Sequence, residues 1–377
     1  MESQRSDINE AIEASGEATL EQANKKAKEK IDSFFNVRLD IAVTGETGSG
    51  KTSFVNALRG LKDNDEDAAP TGVTETTTEP TDYKNPTMPN VTLWDLPGIG
   101  SPEFKAKTYL KNVKFDRYDF FLIVSSGRFR DNDITLAKEI KKKKKQFYFI
   151  RSKIDHDVQS EKRKGINKEE TLSKIRRNCE EELKGIGNSN IFLISSWDMY
   201  EFDFEKLIDT LESELPEHKQ NALLQSVPVC SVAILEGKVK MFHKIAWALA
   251  LISGAIAVAP VPGLSFSSDM AMVGSFFTSC YHSFGLDHKS LERLSELVNK
   301  PHLKSLEMSP LVQELTQMSS IRLGASALGE YLCSLLPVAG SAAAAAISFT
   351  TTREVLLKGL DALAEEARKV LREAGLE

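Results

Sequence analysis

The segment Gly45-Glu46-Thr47-Gly48-Ser49-Gly50-Lys51-Thr52, continued by Ser53, fits G-x-x-x-x-G-K-[ST] and constrains this chain more than any other feature. It lies between an apolar run, VRLDIAV (37–43), and a helical pattern, SFVNALRG, the strand–loop–helix setting in which such a loop works. The glycines let backbone N–H groups close around phosphate oxygens at the positive end of a helix. Lys51 is placed to meet the β- and γ-phosphates, and the Thr52 hydroxyl to coordinate Mg²⁺. Residues 45–53 are therefore expected to bind the phosphates of a nucleotide.

Further apolar runs are NVTLWD (90–95), DFFLIVS (119–125), FYFIRS (147–152) and IFLIS (191–195). Helical patterns such as DITLAKEIKKKKK and KEETLSKIRRNCEEELK separate several of them, which predicts a parallel sheet covered on both faces. FDFEKLIDTLESEL (202–215) reads as the last helix of this region, with Asp203 as N-cap and Pro216 as the stop. Beyond Pro216 no strand pattern stands out. The C-terminal segment places Leu356, Leu360, Leu363, Ala367 and Val370 in a helical stripe. The expected organisation is an α/β domain over 37–215 and a helical domain over 216–377. The N-terminal helical segment 1–36 is expected to join the latter, since a lone helix needs a partner for its apolar face.

Two more stations specify the ligand. Asp95 closes NVTLWD and opens Asp-Leu-Pro-Gly, so a carboxylate at a strand tip beside the phosphate loop is expected to hold Mg²⁺ through water. Gly98 can direct its N–H at the γ-phosphate because no side chain intervenes. Ser152-Lys153-Ile154-Asp155 comes after FYFIRS, at the strand end where the base should lie. A carboxylate at Asp155 accepts both the N1–H and the N2 amino protons of guanine, donors that adenine lacks, and Lys153 lays an aliphatic stem over the ring. Ser152 departs from the usual Asn or Thr. Ser195-Ser196 fits the remaining base loop, with a backbone N–H for guanine O6. The expected ligands are GTP and GDP with Mg²⁺.

At these stations together the sequence resembles the immunity-related GTPases, interferon-inducible relatives of dynamin-like proteins. The resemblance spans nearly the whole chain and is carried by AVTGETGSGKTSFVNALRG, TGVTETT, LWDLPGIG, YDFFLIVSS and the FDF at Phe202. Lys51 groups it with members that keep Gly-Lys-Ser/Thr rather than the regulatory subgroup with Met in the Lys position. The resemblance implies a Ras-like P-loop G domain with a mainly parallel sheet, inserted in an all-α domain formed by both chain ends. It assigns Thr77, in the loop TGVTETTTEP (71–80), to Mg²⁺ and the γ-phosphate. For Glu75 it implies water activation or contact with a second nucleotide across a G-domain dimer; a solvated switch-loop acid is the other reading. The sequence departs from the family in lacking a myristoylation glycine, since Glu2 comes after Met1, and in the apolar character of two Pro-Val-x-Gly segments.

Ras-like switches orient the attacking water with a Gln just after the D-x-x-G glycine. Here that residue is Ile99, which cannot polarise water. Slow intrinsic turnover is expected, with the missing part supplied in trans, a contribution worth ~10³–10⁵ in rate. The expected partners are a second copy, as a homodimer or higher GTP-dependent oligomer through the G domains, and related GTPases. The leading reading is a GTPase acting on intracellular membranes in cell-autonomous innate immunity. The alternative is a slow-hydrolysing GTP/GDP switch that regulates related GTPases or membrane trafficking.

The remaining features bear on partners and place. A formal charge of −6 argues against a nucleic-acid binder. Cys179, Cys230, Cys280 and Cys333 are scattered, as expected of reduced thiols in the cytosol. The opening MESQRSDINE is polar and gives no expectation of a signal peptide. Residues 245–266 and 331–349 are uncharged and share a Pro-Val-x-Gly turn; they read as helical hairpins, either buried in the helical core or touching a membrane. Lys141 to Lys145 reads as a solvated helix end or an anionic-lipid contact, and Arg128, Arg130 and 158–168 as candidate dimer contacts. The expected location is cytoplasmic, peripherally associated with intracellular membranes.

Overall fold

The computed structural model describes residues 12–13, 16–72, 77–100, 105–186, 190–257, 264–316 and 342–376. The chain divides into two compact units, Val37–Cys230 and a unit assembled from Met1–Asn36 with Ser231–Glu377. Helix α1 (Leu20–Asn36) belongs to the second.

The α/β unit begins with β1 (Leu39–Gly45) and α2 (Lys51–Leu58), then β2 (Thr81–Lys84), β3 (Val91–Asp95) and α3 (Ala106–Asn112). It continues through β4 (Phe120–Ser125), α4 (Asp131–Lys142), β5 (Gln146–Arg151), α5 (Ile154–Lys162) and α6 (Lys168–Leu183). Strand β6 (Ile191–Leu193) and helices α7 (Phe204–Glu214) and α8 (Glu217–Ser226) complete it. The strands form one six-stranded sheet in the order β2-β3-β1-β4-β5-β6. All neighbours are parallel except β2, which runs antiparallel to β3. This is the sheet of a Ras-like P-loop G domain. Every residue of β1, β3 and β4 is buried, as parallel strands covered by helices on both faces must be. The core beneath is strongly aromatic: Phe115 stacks on Phe121 at 5.4 Å between centroids, and Phe129 meets Phe149 edge-on at 4.9 Å.

Three features of this unit differ from the sequence expectation. Strand β2, TDYK, was not expected, because it is a mostly exposed edge strand without an apolar face; its pairing with β3, from Thr81↔Asp95 to Lys84↔Thr92, defines it. The unit runs past residue 215 to Cys230. Helix α8 packs on β1 and β3 through buried Ala222, Leu223 and Leu224, and Asn85 Nδ2 donates to the Ser226 carbonyl at 2.6 Å. Helical spacing reveals an apolar face but not the surface that covers it. Asp203 stands at the N-cap of α7 but makes no capping bond; its carboxylate accepts from Leu193 N–H at 2.9 Å and from Arg176 at 2.8 Å.

The lysine run ends α4. Lys141 Nζ donates to the Ile186 carbonyl at 2.8 Å, Lys142 pairs with Glu139 at 2.5 Å, and Lys145 reaches the Asp116 and Tyr118 carbonyls. Much of its charge is thus engaged locally, as a helix C-terminus favours. Cys179, Cys230 and Cys280 are buried thiols; Cys333 lies outside the described residues.

The helical unit is built around α9 (Val232–Ala257), which packs against α1 and against the long C-terminal helix. It also contains α10 (Leu264–Ser283), α11 (His288–Leu297), α12 (Pro310–Thr316) and that C-terminal helix, α13 (Ala342–Ala374). Phe34 of α1 meets Phe242 at 6.0 Å; Trp247 meets Phe349 at 5.8 Å and is capped by the Arg353 guanidinium at 4.5 Å. The stripe Leu356, Leu360, Leu363, Ala367 and Val370 is buried. So are Ile245, Ala246 and Ala248 through Ser253, which places this stretch of the first apolar segment in the helical core. Residues 258–263 of the first and 331–341 of the second lie outside the described residues. No helix among the described residues is long and apolar enough to cross a membrane.

Gly359 of α13 packs directly on α10: a Cβ there would sit 2.3 Å from the fully buried Phe277 ring. Ala favours the helix by about 1 kcal/mol, whereas overpacking costs about 1–3 kcal/mol. Gly359→Ala should therefore lower stability in urea unfolding; an unchanged or raised midpoint would contradict this packing.

Candidate functional site

The site lies at the carboxyl ends of the strands in the α/β unit. Gly45 ends β1 with φ +143°, and a Cβ there would come within 2.0 Å of the Val124 carbonyl oxygen, so only glycine fits. The loop then turns through Gly48 (φ +78°) and Gly50 (φ +85°), the latter forming the N-cap of α2. Ser49 N–H donates to the Glu46 carbonyl at 3.2 Å, and the nearly buried Lys51 donates its Nζ to the same carbonyl at 2.9 Å. Thr47, Gly48, Gly50, Lys51, Thr52 and Ser53 line a cleft of about 460 Å³. Gly45, Glu46 and Ser49 shape the loop without lining the cleft. The Ser53 hydroxyl is committed to Asp63, at 2.7 Å.

Asp95 is fully buried at the tip of β3. Its Oδ2 accepts from Thr52 Oγ1 at 2.7 Å and from Thr77 Oγ1 at 2.9 Å, while its Oδ1 has no hydrogen-bond partner. A buried carboxylate oxygen left without a donor is costly and marks a place for a ligand. Gly98 lines the cleft beside this cluster, and Glu75 lies outside the described residues.

The other side of the cleft comes from the ends of β5 and β6. Ser152 is buried; its Oγ donates to the Ser49 carbonyl at 2.6 Å, so the short hydroxyl ties this loop to the phosphate loop. Lys153 adopts φ +58° and reaches the Gly48 carbonyl with Nζ at 2.9 Å, stretching its stem along the cleft. Asp155 stands half-buried in the first turn of α5 and lines the cleft. Ser196 lines it as well, whereas Ser195 is fully buried: its Oγ accepts the Trp197 and Asp198 N–H groups at 3.2 and 3.1 Å and so sets the loop.

Several residues brace these loops in ways that sequence patterns do not reveal. Arg130 Nη1 lies 3.3 Å from Glu46 Oε2, and Asn132 Nδ2 donates to the Ile99 carbonyl at 2.7 Å. Ile99 itself is fully buried, and its N–H bonds the Gly45 carbonyl at 3.2 Å. The Tyr109 hydroxyl links Thr44 Oγ1 at 2.7 Å to the Pro97 carbonyl at 3.0 Å, and burial raises its pKa, which keeps it protonated. Asp133 is fully buried and accepts the Arg130 N–H at 2.9 Å, with its other oxygen unpartnered. Burial pushes its pKa up to about 7 against the lowering effect of that hydrogen bond, with nearby Glu46 adding to the rise.

The sign of this shift fixes a pH dependence. The folded chain keeps a proton on Asp133 that the unfolded chain releases near pH 4, so the contribution of Asp133 to stability falls as pH rises from about 4 to about 7 and then levels off. Asp133→Asn keeps an acceptor for Arg130 without the charge. Its stability relative to wild type should rise over that window in thermal melts of the nucleotide-free chain, and a difference independent of pH would refute the assignment.

Comparison with known proteins bears on the family of the chain. A family model described as Interferon-inducible GTPase (IIGP) matches residues 4–374. Interferon-inducible GTPase 5 of Bos taurus is 41% identical over 364 residues, covering 93% of this chain and 78% of that protein. Interferon-inducible GTPase 1 of Mus musculus is 39% identical over 291 residues, covering 75% of this chain and 70% of that protein. Among solved structures, Era in complex with MgGDPNP and a segment of 16S ribosomal RNA aligns at 21% identity and TM-score 0.33, over 47% of this chain and 56% of that one. With a family match across nearly its whole length, the chain belongs to the interferon-inducible GTPase family, is of the immunity-related type, and is an enzyme that binds and hydrolyses GTP.

Proposed function

We propose that the cleft holds GTP with Mg²⁺, that hydrolysis is completed when two G domains meet, and that the protein acts on intracellular membranes in cell-autonomous innate immunity. In this reading Lys51 and the N–H groups of residues 46–52 bind the β- and γ-phosphates, and Gly98 offers its N–H to the γ-phosphate. Asp155 accepts the guanine N1–H and N2–H, Lys153 covers the ring, and a backbone N–H of Ser195-Ser196 meets O6. The unpartnered Oδ1 of Asp95 and the two hydroxyls converging on its Oδ2 suit a hard divalent cation, which Thr52, Thr77 and Asp95 would hold. Bound there, Mg²⁺ neutralises charge on the β- and γ-phosphate oxygens.

The observation that carries the dimer reading is the burial of Ile99. The residue after Gly98 is packed in the core and its side chain offers no acceptor to orient a water, so this position does not supply that part of the hydrolytic apparatus. A second copy, as a homodimer or larger GTP-dependent assembly, or a related GTPase, is the source proposed for it. Support for membrane action comes from membership of the family. The same burial of Ile99 also fits a slowly hydrolysing regulatory switch for related GTPases or membrane trafficking.

Specific activity against protein concentration separates the two. Dimer-completed catalysis should raise turnover per chain by ~10-fold or more across the association range; a flat, low rate would select the switch. Lys51→Ala should weaken GTP binding about 10–100-fold by removing a charge-assisted contact, and normal hydrolysis by that variant would overturn the phosphate assignment. Asp155→Ala should raise the Kd for GDP by ~10²-fold or more without improving that for ADP, as equilibrium titration would show.

A further inference from the structure

Trp197 stands out among the described residues: it is a large hydrophobic side chain with 72% of its surface exposed, against 42% for Leu297 and 41% for Leu311. An exposed indole keeps a large apolar face available for a ligand. Its position narrows the choice. Trp197 lines the same cleft as Lys153, Asp155 and Ser196, one residue beyond Ser196. Its backbone is fixed, since Ser195 Oγ accepts the N–H of Trp197 and of Asp198. The Lys153 stem, drawn across the cleft to the Gly48 carbonyl, supplies apolar surface from the other base loop. The cleft thus offers two non-polar elements, from separate loops, around the place where Asp155 points to a purine.

We infer that Trp197 is a base-binding residue, its indole packing against the purine ring of the bound nucleotide. The inference rests on the guanine reading of Asp155 but assigns a different interaction. Asp155 reads the hydrogen-bonding edge of guanine, whereas an aromatic contact reads the π-surface, which every purine has.

That difference provides the test. Binding of GDP, of IDP (which lacks the N2 amino group) and of inorganic pyrophosphate is measured by calorimetry on the full chain with Mg²⁺, for wild type, Trp197→Ala, Trp197→Phe and Asp155→Ala. Trp197→Ala should weaken GDP and IDP equally, by about 5- to 150-fold, leave pyrophosphate unchanged, and be largely rescued by Trp197→Phe. GDP affinity within twofold of wild type, or an equal loss for pyrophosphate, overturns the inference. Unchanged affinity with reduced concentration dependence of turnover also overturns it, assigning the indole to a second copy instead. Asp155→Ala should abolish the preference for GDP over IDP; if the preference survives, the guanine reading fails whatever the Trp197 variants do. Because the side chain is exposed, the Trp197 variants should melt with wild type.

Discussion

The site depends on the parallel pairing of β1 with both of its neighbours. Register with β3 sets Val43 against Asp95, and register with β4 sets Gly45 against Val124. Those two alignments bring the phosphate loop and the Asp95 carboxylate to one edge of the sheet, and the tie from Ser152 N–H to the Ser125 carbonyl brings the base loop to the same edge. The strands are buried along their length, so a slip in register would repack side chains on both covered faces and leave buried backbone groups unpaired, and is strongly disfavoured. The position of the chemistry is a by-product of the way the sheet closes its hydrogen bonds.

On that frame the cleft is held by short polar links rather than by bulk. Ser152 to Ser49, Lys153 to Gly48, Thr52 and Thr77 to Asp95, and Arg130 to Glu46 each join segments far apart in sequence. Most end on a backbone carbonyl or a buried carboxylate, where a lost partner leaves an uncompensated polar atom. Among the described residues around the cleft, Asp95 and Asp133 each keep one carboxylate oxygen without a partner, as the Ser49 hydroxyl does, and the two carboxylates differ in consequence. Asp95 stands directly behind Thr52 and Thr77, which line the cleft, whereas Asp133 is enclosed and burial raises its pKa.

Much of this was legible in the sequence, for identifiable reasons. The phosphate loop combines glycines at strained positions with a lysine and a hydroxyl at fixed spacing, and no core-packing pattern imitates that. The central strands announce themselves because burial on both faces leaves unbroken apolar runs. The residues that escaped notice are those whose roles depend on three-dimensional neighbours. TDYK becomes a strand through β3, α8 joins the α/β unit through the sheet beneath it, and Asp203 turns from its own helix to Leu193 and Arg176. Trp197 gave no signal either, because one aromatic residue in a loop has no period to reveal it.

Ile99 joins two properties that are usually measured apart. It is packed with Leu96, Leu110 and Phe121 in the core of the α/β unit, while its N–H holds the end of β1 and its carbonyl is held by Asn132. Displacing the glycine loop far enough to free this side chain would expose a fully buried Ile, at a cost of about 2 kcal/mol. Rearrangement of the loop around a ligand must draw on the cohesion of the core itself. Occupancy of the cleft and resistance to heat are then coupled quantities.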